Sequence, residues 1–219
     1  MATIWELCGE VFRLDLMRRL EERLAQAGFE AVAGVDEAGR GCLAGPVVAA
    51  AVIPDAARGV PGVDDSKKLS AAARERLAPE IRATAIAWAV AEVPAETIDR
   101  VNILRATRLA MAEAVAELSP AADCVVTDAV TLPGLGVPCL PVVKGDAWSY
   151  AVACASILAK VHRDRRMAEL DREFPQYGFE RHKGYGAPEH LDALSRFGPC
   201  PVHRLTFASV VPRAAEVRR

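Results

Sequence analysis

Apolar residues recur every three or four positions near the amino terminus, which predicts an amphipathic helix. They are Leu14, Met17, Leu20 and Leu24. Gly28 follows at a position typical of the residue that ends a helix. An apolar strand is predicted next, near Glu30 to Val35, and Asp36 comes directly after it.

Two further strands are predicted before the middle of the chain. Val47–Ile53 is an apolar run bounded by prolines, and the segment from Ala85 to Val93 also has a strand pattern. Between them lie a polar loop, Asp55 to Lys68, and a short helix. Ser70 is the expected N-cap of this helix, and Pro79 is expected to kink or end it.

Helices and strands alternate in the second half of the chain. Asn102 is the expected N-cap of a helix that precedes a strand from Cys124 to Thr127, and Asp128 terminates that strand. A strand from Leu140 to Val143 then leads into a long helix, Ala147 to about Leu170, with Asp146 placed to cap it.

A last helix begins at Pro188 and stops at Gly198-Pro199. The order βββαβα favours a mixed α/β sheet flanked by helices. An all-parallel doubly wound sheet is the alternative.

The composition is that of one globular domain in a reducing compartment. The chain has 219 residues, 52% of them hydrophobic, and no apolar run approaches the roughly 18 residues of a membrane span. Residues 1–30 lack the basic and apolar regions of a signal peptide. Six cysteines are scattered without a C-x-x-C pair, so neither a zinc site nor a disulfide framework is indicated. We expect a soluble, cytoplasmic monomer that makes no membrane contact.

Charge is unevenly distributed along the chain. The net charge is −2, but the segment from Lys160 to Arg219 holds 12 Lys and Arg against 8 Asp and Glu, which leaves 15 against 21 elsewhere. Such an arrangement fits a protein that binds phosphate on one surface and metal cations on another. Ordinary solvated helix faces explain the charges equally well.

Carboxylates stand where strands or loops end. Asp36 and Glu37 end an apolar strand and are followed at once by glycines, which let a backbone approach a ligand closely. Each carboxylate also has a simpler explanation, namely an Asx-type turn at Asp36, a turn at Asp128 and a helix cap at Asp146. Together they form a constellation. Carboxylates about 5 Å apart repel by about 3 kcal/mol at an effective dielectric near 20, so such a cluster needs cations, and Mg²⁺ prefers oxygen ligands.

Five motifs (DEAGRG, DSKKLS, KGD, ASILAKVHRD and HKGYG) occur in the order and approximate spacing found in ribonuclease HII, the type 2 ribonuclease H family. The chain resembles this family from about residue 31 to residue 207. The resemblance implies a ribonuclease H-like fold with a C-terminal helical extension, two divalent ions (Mg²⁺ or Mn²⁺), and hydrolysis of RNA joined to DNA. It divides the chain into an N-terminal helical extension, residues 1–30, and a catalytic domain, residues 31–219.

The resemblance also implies roles for particular residues. The metal ligands and catalytic residues would be Asp36, Glu37, Asp128 and Asp146. The substrate-binding residues would be Gly39, Arg40, Gly41, Ser66, Lys67 and Tyr185. The glycine-arginine-glycine turn would contact the 2′-hydroxyl at an RNA-to-DNA junction, and Tyr185 would pack there to enforce junction preference. A half-buried core tyrosine is the structural alternative.

Three positions depart from the family pattern or lie outside its site. Many relatives have Gly in place of Ala129 and Pro in place of Cys42, but neither change removes a ligand. Asp164 is interpreted as an ion-pairing residue on a basic helix face formed by Arg163, Arg165 and Arg166.

The leading hypothesis is a two-metal endonuclease that cuts the RNA strand of RNA·DNA hybrids and DNA containing ribonucleotides, as in ribonucleotide excision repair. It would leave 5′-phosphate and 3′-hydroxyl ends. A module that binds hybrids without cutting them is the second hypothesis, although all four acidic positions are filled. A phosphatase or nucleotide-binding α/β enzyme is the third, but the sequence lacks a Walker-type loop.

Overall fold

The computed structural model describes residues 4–210 of the protein. Residues 1–3 and 211–219, and with them Arg213, Arg218 and Arg219 of the predicted basic segment, lie outside the described residues. The strands of the described part are β1 (Val32–Ala38), β2 (Val47–Ile53), β3 (Ala87–Val93), β4 (Cys124–Asp128) and β5 (Cys139–Val142). The helices of the same part are α1 (Ile4–Gln26), α2 (Ala71–Thr84), α3 (Ala95–Val101), α4 (Ile103–Ala116), α5 (Gly145–Trp148), α6 (Tyr150–Glu173), α7 (Phe179–His182) and α8 (Pro188–Phe197).

The five strands form one mixed sheet in the order β3-β2-β1-β4-β5. β1 pairs antiparallel with β2, and β2 with β3, whereas β4 lies parallel to both β1 and β5. The predicted mixed α/β sheet is therefore confirmed, and the all-parallel alternative is wrong. The parallel pairing of β1 with β4 brings the carboxyl ends of these two strands to one edge of the sheet.

Helices cover both faces of the sheet. On one face Ile98 of α3 and Met111 of α4 pack on alternate residues of β1, β2 and β3. On the other face Ile157 of α6 and Ile81 of α2 pack on the remaining residues of β2. Gly34 lets α6 approach β1 closely, because a Cβ at this position would lie 2.1 Å from the carbonyl carbon of Ala151.

The predicted ends of the helices are mostly confirmed. Gly28 follows α1 with a φ of +99°, and its N–H donates to the Ala25 carbonyl while the N–H of Phe29 donates to the Leu24 carbonyl, which is a Schellman motif. Ser70 and Asn102 cap α2 and α4 as expected. The helix α2, however, continues past Pro79 to Thr84, so the expectation that Pro79 ends it is wrong. The ring of Pro79 lies on the exposed side of α2.

Asp146 does not cap the long helix. The helix α6 begins at Tyr150, and the hydroxyl of Ser149 accepts a hydrogen bond from Val152 N at 3.1 Å. Asp146 lies instead in the separate four-residue helix α5. The N–H of Gly145 donates to Asp128 Oδ1 at 2.9 Å, which holds this short helix against the end of β4. Because Ser149 caps α6, the carboxylate of Asp146 is available for other contacts.

The helix α1 packs on the body of the protein. Glu21 Oε1 accepts hydrogen bonds from Ser149 Oγ at 2.6 Å and from Ala151 N at 2.9 Å, so α1 supplies a second acceptor at the start of α6. The domain boundary between residues 30 and 31 stays a prediction. Within residues 4–210, no helix combines the length and apolar character that crossing a membrane requires. The six cysteines are free thiols.

Candidate active site

Three of the four predicted metal ligands come from the carboxyl ends of β1 and β4. The register of the parallel pair ends with Val35 opposite Thr127, so the next residues on the two strands are Asp36 and Asp128. Glu37 follows Asp36 on β1. The side chain of Asp36 is buried, with 4% of its surface exposed, and its Oδ1 accepts a hydrogen bond from Glu37 N at 2.8 Å.

These carboxylates line a cavity of about 250 Å³. Nine of the ten predicted site residues contribute to its wall, namely Asp36, Glu37, Gly39, Arg40, Gly41, Ser66, Lys67, Asp128 and Tyr185. We call this space the acidic cavity. These nine residues come from β1, the turn after β1, the loop before α2, the end of β4 and the loop after α7. The segments are far apart in the sequence.

The tenth predicted residue, Asp146, does not line the acidic cavity but is linked to it. Its side chain is buried, and its Oδ2 accepts a hydrogen bond from Lys67 Nζ at 3.2 Å. The side chain of Lys67 is 75% exposed at the cavity wall. Burial opposes the charged form of Lys67, but the hydrogen bond and charge of Asp146 outweigh it and raise the pKa of the ammonium.

The carboxylates repel one another in a poorly solvated place. Burial, together with the charge of Glu37, raises the pKa of Asp36 well above its ordinary value. Burial also raises the pKa of Glu37, against the opposing effect of Arg40, and raises that of Asp146, against the opposing effect of Lys67. Asp128 adds to the shift at all three. A positive charge bound in the cavity would relieve this repulsion.

Two cations already partly compensate the acidic residues. Arg40 Nη1 lies 3.1 Å from Glu37 Oε1, and Lys67 contacts Asp146. The second oxygen of Glu37, Oε2, is buried and has no hydrogen-bond partner among residues 4–210. Among residues 4–210, no three His, Cys, Asp or Glu side chains stand close enough to enclose one metal ion as they are. The site thus has an unsatisfied, all-oxygen donor set, in which two carboxylates are engaged by side-chain cations.

The glycine-arginine-glycine turn has a conformation that requires glycine at its first position. Gly39 has a φ of +95°, and a Cβ there would lie 1.9 Å from Arg163 Nε. Arg163 is buried beneath the turn with 1% of its surface exposed. Its expected position on a basic helix face is therefore wrong, although Asp164 does form an ion pair, with Lys160 at 2.7 Å.

Tyr185 also lines the acidic cavity, with 48% of its surface exposed. Burial of the remainder raises the pKa of its hydroxyl, and the neighbouring Cys42 adds to this effect. Cys42, at the position where many relatives are expected to have proline, is fully buried. Lys68, predicted beside Lys67 in the same loop, pairs with Asp64 at 3.1 Å.

Three further polar side chains line the cavity and were not assigned from the sequence: Arg74, Ser156 and Lys160. Ser156 Oγ lies 2.8 Å from Ser66 Oγ, and its hydrogen bond to Asp36 favours the charged carboxylate. Ser156 and Lys160 are four residues apart in the ASILAK motif, so helical periodicity places them on one face of α6. This four-residue spacing is the signal in the sequence that could have assigned both residues to the site. Arg74 donates to the Ser66 carbonyl at 2.7 Å and gave no signal of its own.

Comparison with known proteins gives consistent relatives. A family model described as Ribonuclease HII matches residues 33–210. The Ribonuclease HII of Ruminiclostridium cellulolyticum is 50% identical over 198 residues, which cover 90% of this chain and 78% of that protein. That of Geobacter metallireducens is 52% identical over 195 residues, covering 89% of this chain and 92% of the relative. The crystal structure of the ribonuclease H2 from Pyrococcus horikoshii OT3 matches with a TM-score of 0.72 and 25% identity, covering 83% of this chain and 95% of that one.

The five-stranded mixed sheet with its flanking helices and this structural likeness define the ribonuclease H-like class of proteins. Within that class, the chain belongs to the ribonuclease HII family. It is accordingly a hydrolytic endoribonuclease, of a family that cleaves the RNA of RNA·DNA hybrids. The resemblance found in the sequence is confirmed, and an enzyme is favoured over a module that only binds hybrids.

Proposed function

We propose that the acidic cavity is the active site of a divalent-metal-dependent endonuclease that also incises DNA on the 5′ side of a single embedded ribonucleotide. The observation that carries the proposal is the composition of one cavity wall. It combines Asp36, Glu37 and Asp128 with the turn Gly39–Gly41 and with Tyr185. Groups suited to a metal and groups suited to a ribose thus face the same space.

The donor set fits hard divalent ions such as Mg²⁺ or Mn²⁺. Asp36, Glu37, Asp128 and Asp146 offer only oxygen atoms, and the buried Oε2 of Glu37 has no hydrogen-bond partner in the described part of the chain. We propose that these four residues hold two ions. When bound, divalent ions stabilise the negative charge of a reacting phosphate and lower the pKa of bound water.

Cationic side chains of the chain itself are placed to bind the phosphate backbone. Arg40, Lys67, Arg74 and Lys160 all line the acidic cavity. Lys67 and Arg40 are exposed enough to exchange a carboxylate partner for a phosphate oxygen, since 75% and 43% of their side-chain surfaces face solvent. We assign them to hold the nucleic-acid strand and to screen the carboxylates before substrate arrives.

The reader of the ribose is the turn Gly39–Gly41 together with Tyr185. We propose that backbone groups of the turn contact the single 2′-hydroxyl, while the ring of Tyr185 packs on the following deoxyribose. A buried polar group left without its hydroxyl partner costs about 1 to 3 kcal/mol, so an all-DNA duplex would be rejected. Hydrolysis would leave a 3′-hydroxyl on the upstream fragment and a 5′-phosphate on the ribonucleotide that begins the downstream fragment. We further propose that the protein acts as a cytoplasmic monomer.

The test is an incision assay on duplex DNA that contains one ribonucleotide, with all-RNA and all-DNA strands for comparison. Wild type with Mg²⁺ or Mn²⁺ should cut 5′ of the ribonucleotide and leave the all-DNA duplex intact. Asp128→Asn should lose incision while still binding the duplex, and Asp192→Asn, an exposed carboxylate on α8, should behave as wild type. Wild-type cleavage of the all-RNA strand without incision at the single ribonucleotide would overturn the junction assignment. Activity retained by Asp128→Asn would overturn the metal assignment.

A further inference from the structure

Two arginines are buried below the turn that follows β1, and among residues 4–210 neither has an acidic partner. Arg163 of α6 and Arg204 of the C-terminal loop expose 1% and 0% of their surfaces. Within residues 4–210, neither guanidinium forms a salt bridge. Arginines are almost never fully buried unless paired, because desolvation of the charge is costly. Burial lowers the pKa of Arg204 to about 10, which still leaves it charged at neutral pH.

The partners of both guanidinium groups are backbone carbonyls. Arg163 donates from Nε to Pro46 O at 3.1 Å, from Nη2 to Ala44 O at 3.1 Å and from Nη1 to Lys183 O at 2.9 Å. Its three nitrogens therefore join two segments that are remote in the sequence.

Arg204 binds the first of these segments through other carbonyls. It donates from Nε and Nη2 to Gly45 O at 3.1 Å and 2.9 Å, and from Nη1 to Arg40 O at 2.9 Å. The last bond fixes the middle residue of the glycine-arginine-glycine turn.

The two segments also bind each other directly. Leu43 N donates to Gly184 O at 2.8 Å, and the backbone of Arg204 adds a bond to the first segment, from Arg204 N to Leu43 O at 2.9 Å. We call residues 39–46 and 183–186 the reader loops, because one contains the glycine turn and the other contains Tyr185. The absence of a side chain at Gly39 makes room for Arg163, so the turn and the arginine depend on each other.

We propose that Arg163 and Arg204 are positioning residues that lock the reader loops into one unit and thereby set discrimination for a ribonucleotide-to-DNA junction. The inference rests on the proposed function. It deepens that function by naming what holds the two halves of the reader at a fixed separation. The physical reason is the planar fork of the guanidinium, which offers several donors in fixed directions, whereas a lysine offers one point charge. Displacement of a positioned group by about 1 Å can cost on the order of 10²-fold in rate.

The experiment replaces each arginine by lysine, which retains the charge and removes the fork. Arg163→Lys and Arg204→Lys are compared with Arg165→Lys, an exposed arginine two residues along α6 from Arg163. Values of kcat/KM are measured on the single-ribonucleotide duplex and on an all-RNA strand paired to DNA, below the melting temperature of each variant. We expect the two buried-site variants to lose about 10- to 100-fold on the single-ribonucleotide duplex and several-fold less on the all-RNA hybrid. Arg165→Lys should retain the wild-type ratio.

Two results would overturn the inference while leaving the proposed function intact. Lysine variants with the wild-type ratio would show that charge alone suffices. Equal losses on both substrates would show general structural support with no role in discrimination. If the lysine variants do not fold, Arg163→Gln and Arg204→Gln, whose amide groups can still donate to the backbone carbonyls, are assayed in their place, and the same substrate ratio decides. Failure of wild type itself to incise at a single ribonucleotide would instead overturn the proposed function.

Discussion

The reader loops form part of the wall of the acidic cavity, but the two regions differ in how their buried charges are compensated. Asp36, Glu37 and Asp128 line the cavity together, and none of the described residues forms a hydrogen bond with Glu37 Oε2. Below the reader loops, the guanidinium groups of Arg163 and Arg204 are buried more completely but bond to carbonyls of the chain. One region leaves charge unsatisfied inside the fold, and the other satisfies it.

The two regions therefore contribute different properties: the carboxylates provide affinity for a cation, and the arginines fix the geometry of the backbone. Unsatisfied carboxylates destabilise the folded protein, but they provide free energy for binding a cation. Satisfied arginines leave nothing for a ligand to bind, but they fix the backbone that surrounds them. We therefore expect substitutions in the cavity to affect catalysis and stability with opposite signs, and substitutions at the reader loops to affect selectivity.

The largest effect is expected for Asp36→Asn, which removes an anionic oxygen and little volume. Cleavage should fall by about 10³-fold or more, because several kcal/mol of charge stabilisation depends on the ligand set. Burial and Glu37 raise the pKa of Asp36 in the folded state, so the ionised carboxylate opposes folding at neutral pH. The melting temperature of the variant in buffer containing a chelator should therefore exceed that of wild type.

Activity and thermal unfolding are measured on the same preparations, with Asp192→Asn as the control for removal of an exposed carboxylate. The control should change neither quantity. A variant that is inactive and also less stable without metal would show that Asp36 supports the fold, and the contrast between the two regions would fail.

The second effect concerns the reader loops. Because 48% of the Tyr185 side chain is exposed, Tyr185→Ala should cost little stability. It should lose about 10- to 100-fold in rate on the single-ribonucleotide duplex, which corresponds to about 1 to 3 kcal/mol of lost contact. The loss on an all-RNA hybrid should be smaller. The control is Trp88→Ala, an aromatic residue on the edge strand with 40% exposure, which should leave both rates unchanged. A collapsed melting temperature with equal losses would identify Tyr185 as a core residue.

The third effect is a pH dependence that distinguishes the C-terminal helices from the cavity. Cys200 N donates to His203 Nδ1 at 2.9 Å, so His203 Nε2 carries the proton that bridges to His190, 3.0 Å away. His190 Nδ1 in turn donates to the carbonyl of Tyr185 at 2.7 Å. This chain of bonds requires neutral imidazoles, and burial together with the nearby His190 lowers the pKa of His203 to about 4.

The sign of this dependence follows from the depressed pKa. The unfolded chain, with a histidine pKa near 6.5, binds a proton more readily than the folded protein, so stability is lost as the pH falls from about 6.5 towards about 4. Between pH 7 and pH 5 the loss from His203 is about 2 kcal/mol. The carboxylates of the cavity have raised pKa values, so their protonation at lower pH stabilises the fold instead.

Hydrogen exchange, corrected for intrinsic rates, measures both regions in one experiment. Between pH 7 and pH 5 protection should decrease in residues 179–210 and not in β1. His162→Gln should retain this pattern, because His162 is partly exposed and lies outside the series of hydrogen bonds through His203 and His190. Uniform loss of protection across the protein would show that the two regions do not respond separately.

The sequence predicted the acidic cavity better than the reader loops, for physical reasons. Asp36 and Asp128 follow apolar runs, and strand ends are visible as changes in pattern. Asp146 and Ser149 are both suitable N-cap residues, so the local sequence does not show which of them begins the long helix. The hydrogen bond from Gly145 to Asp128 holds Asp146 in a separate short helix, and Ser149 therefore becomes the N-cap. Arg163 looks like its neighbours Arg165 and Arg166, because a buried guanidinium satisfied by distant carbonyls has no local signature. Such long-range contacts exist only once the chain has folded.

The smallest effect is expected at Ala129, where many relatives are expected to have glycine. Ala129 directly follows the metal-ligand candidate Asp128 and has a φ of +56°, in the left-handed region that costs a residue with a Cβ about 1 to 2 kcal/mol. Ala129→Gly removes this strain but loosens the unfolded chain, so the net gain in the free energy of unfolding should be about 0.5 to 1 kcal/mol. Chemical denaturation measures the gain, and Ala121→Gly, at an exposed loop position without a positive φ, should be destabilising. Because the change lies beside the cavity without removing a ligand, the cleavage rate should stay within about twofold of wild type, since a shift of under 0.5 kcal/mol corresponds to that factor. Destabilisation by Ala129→Gly would show that the alanine methyl group contributes packing that outweighs its backbone strain.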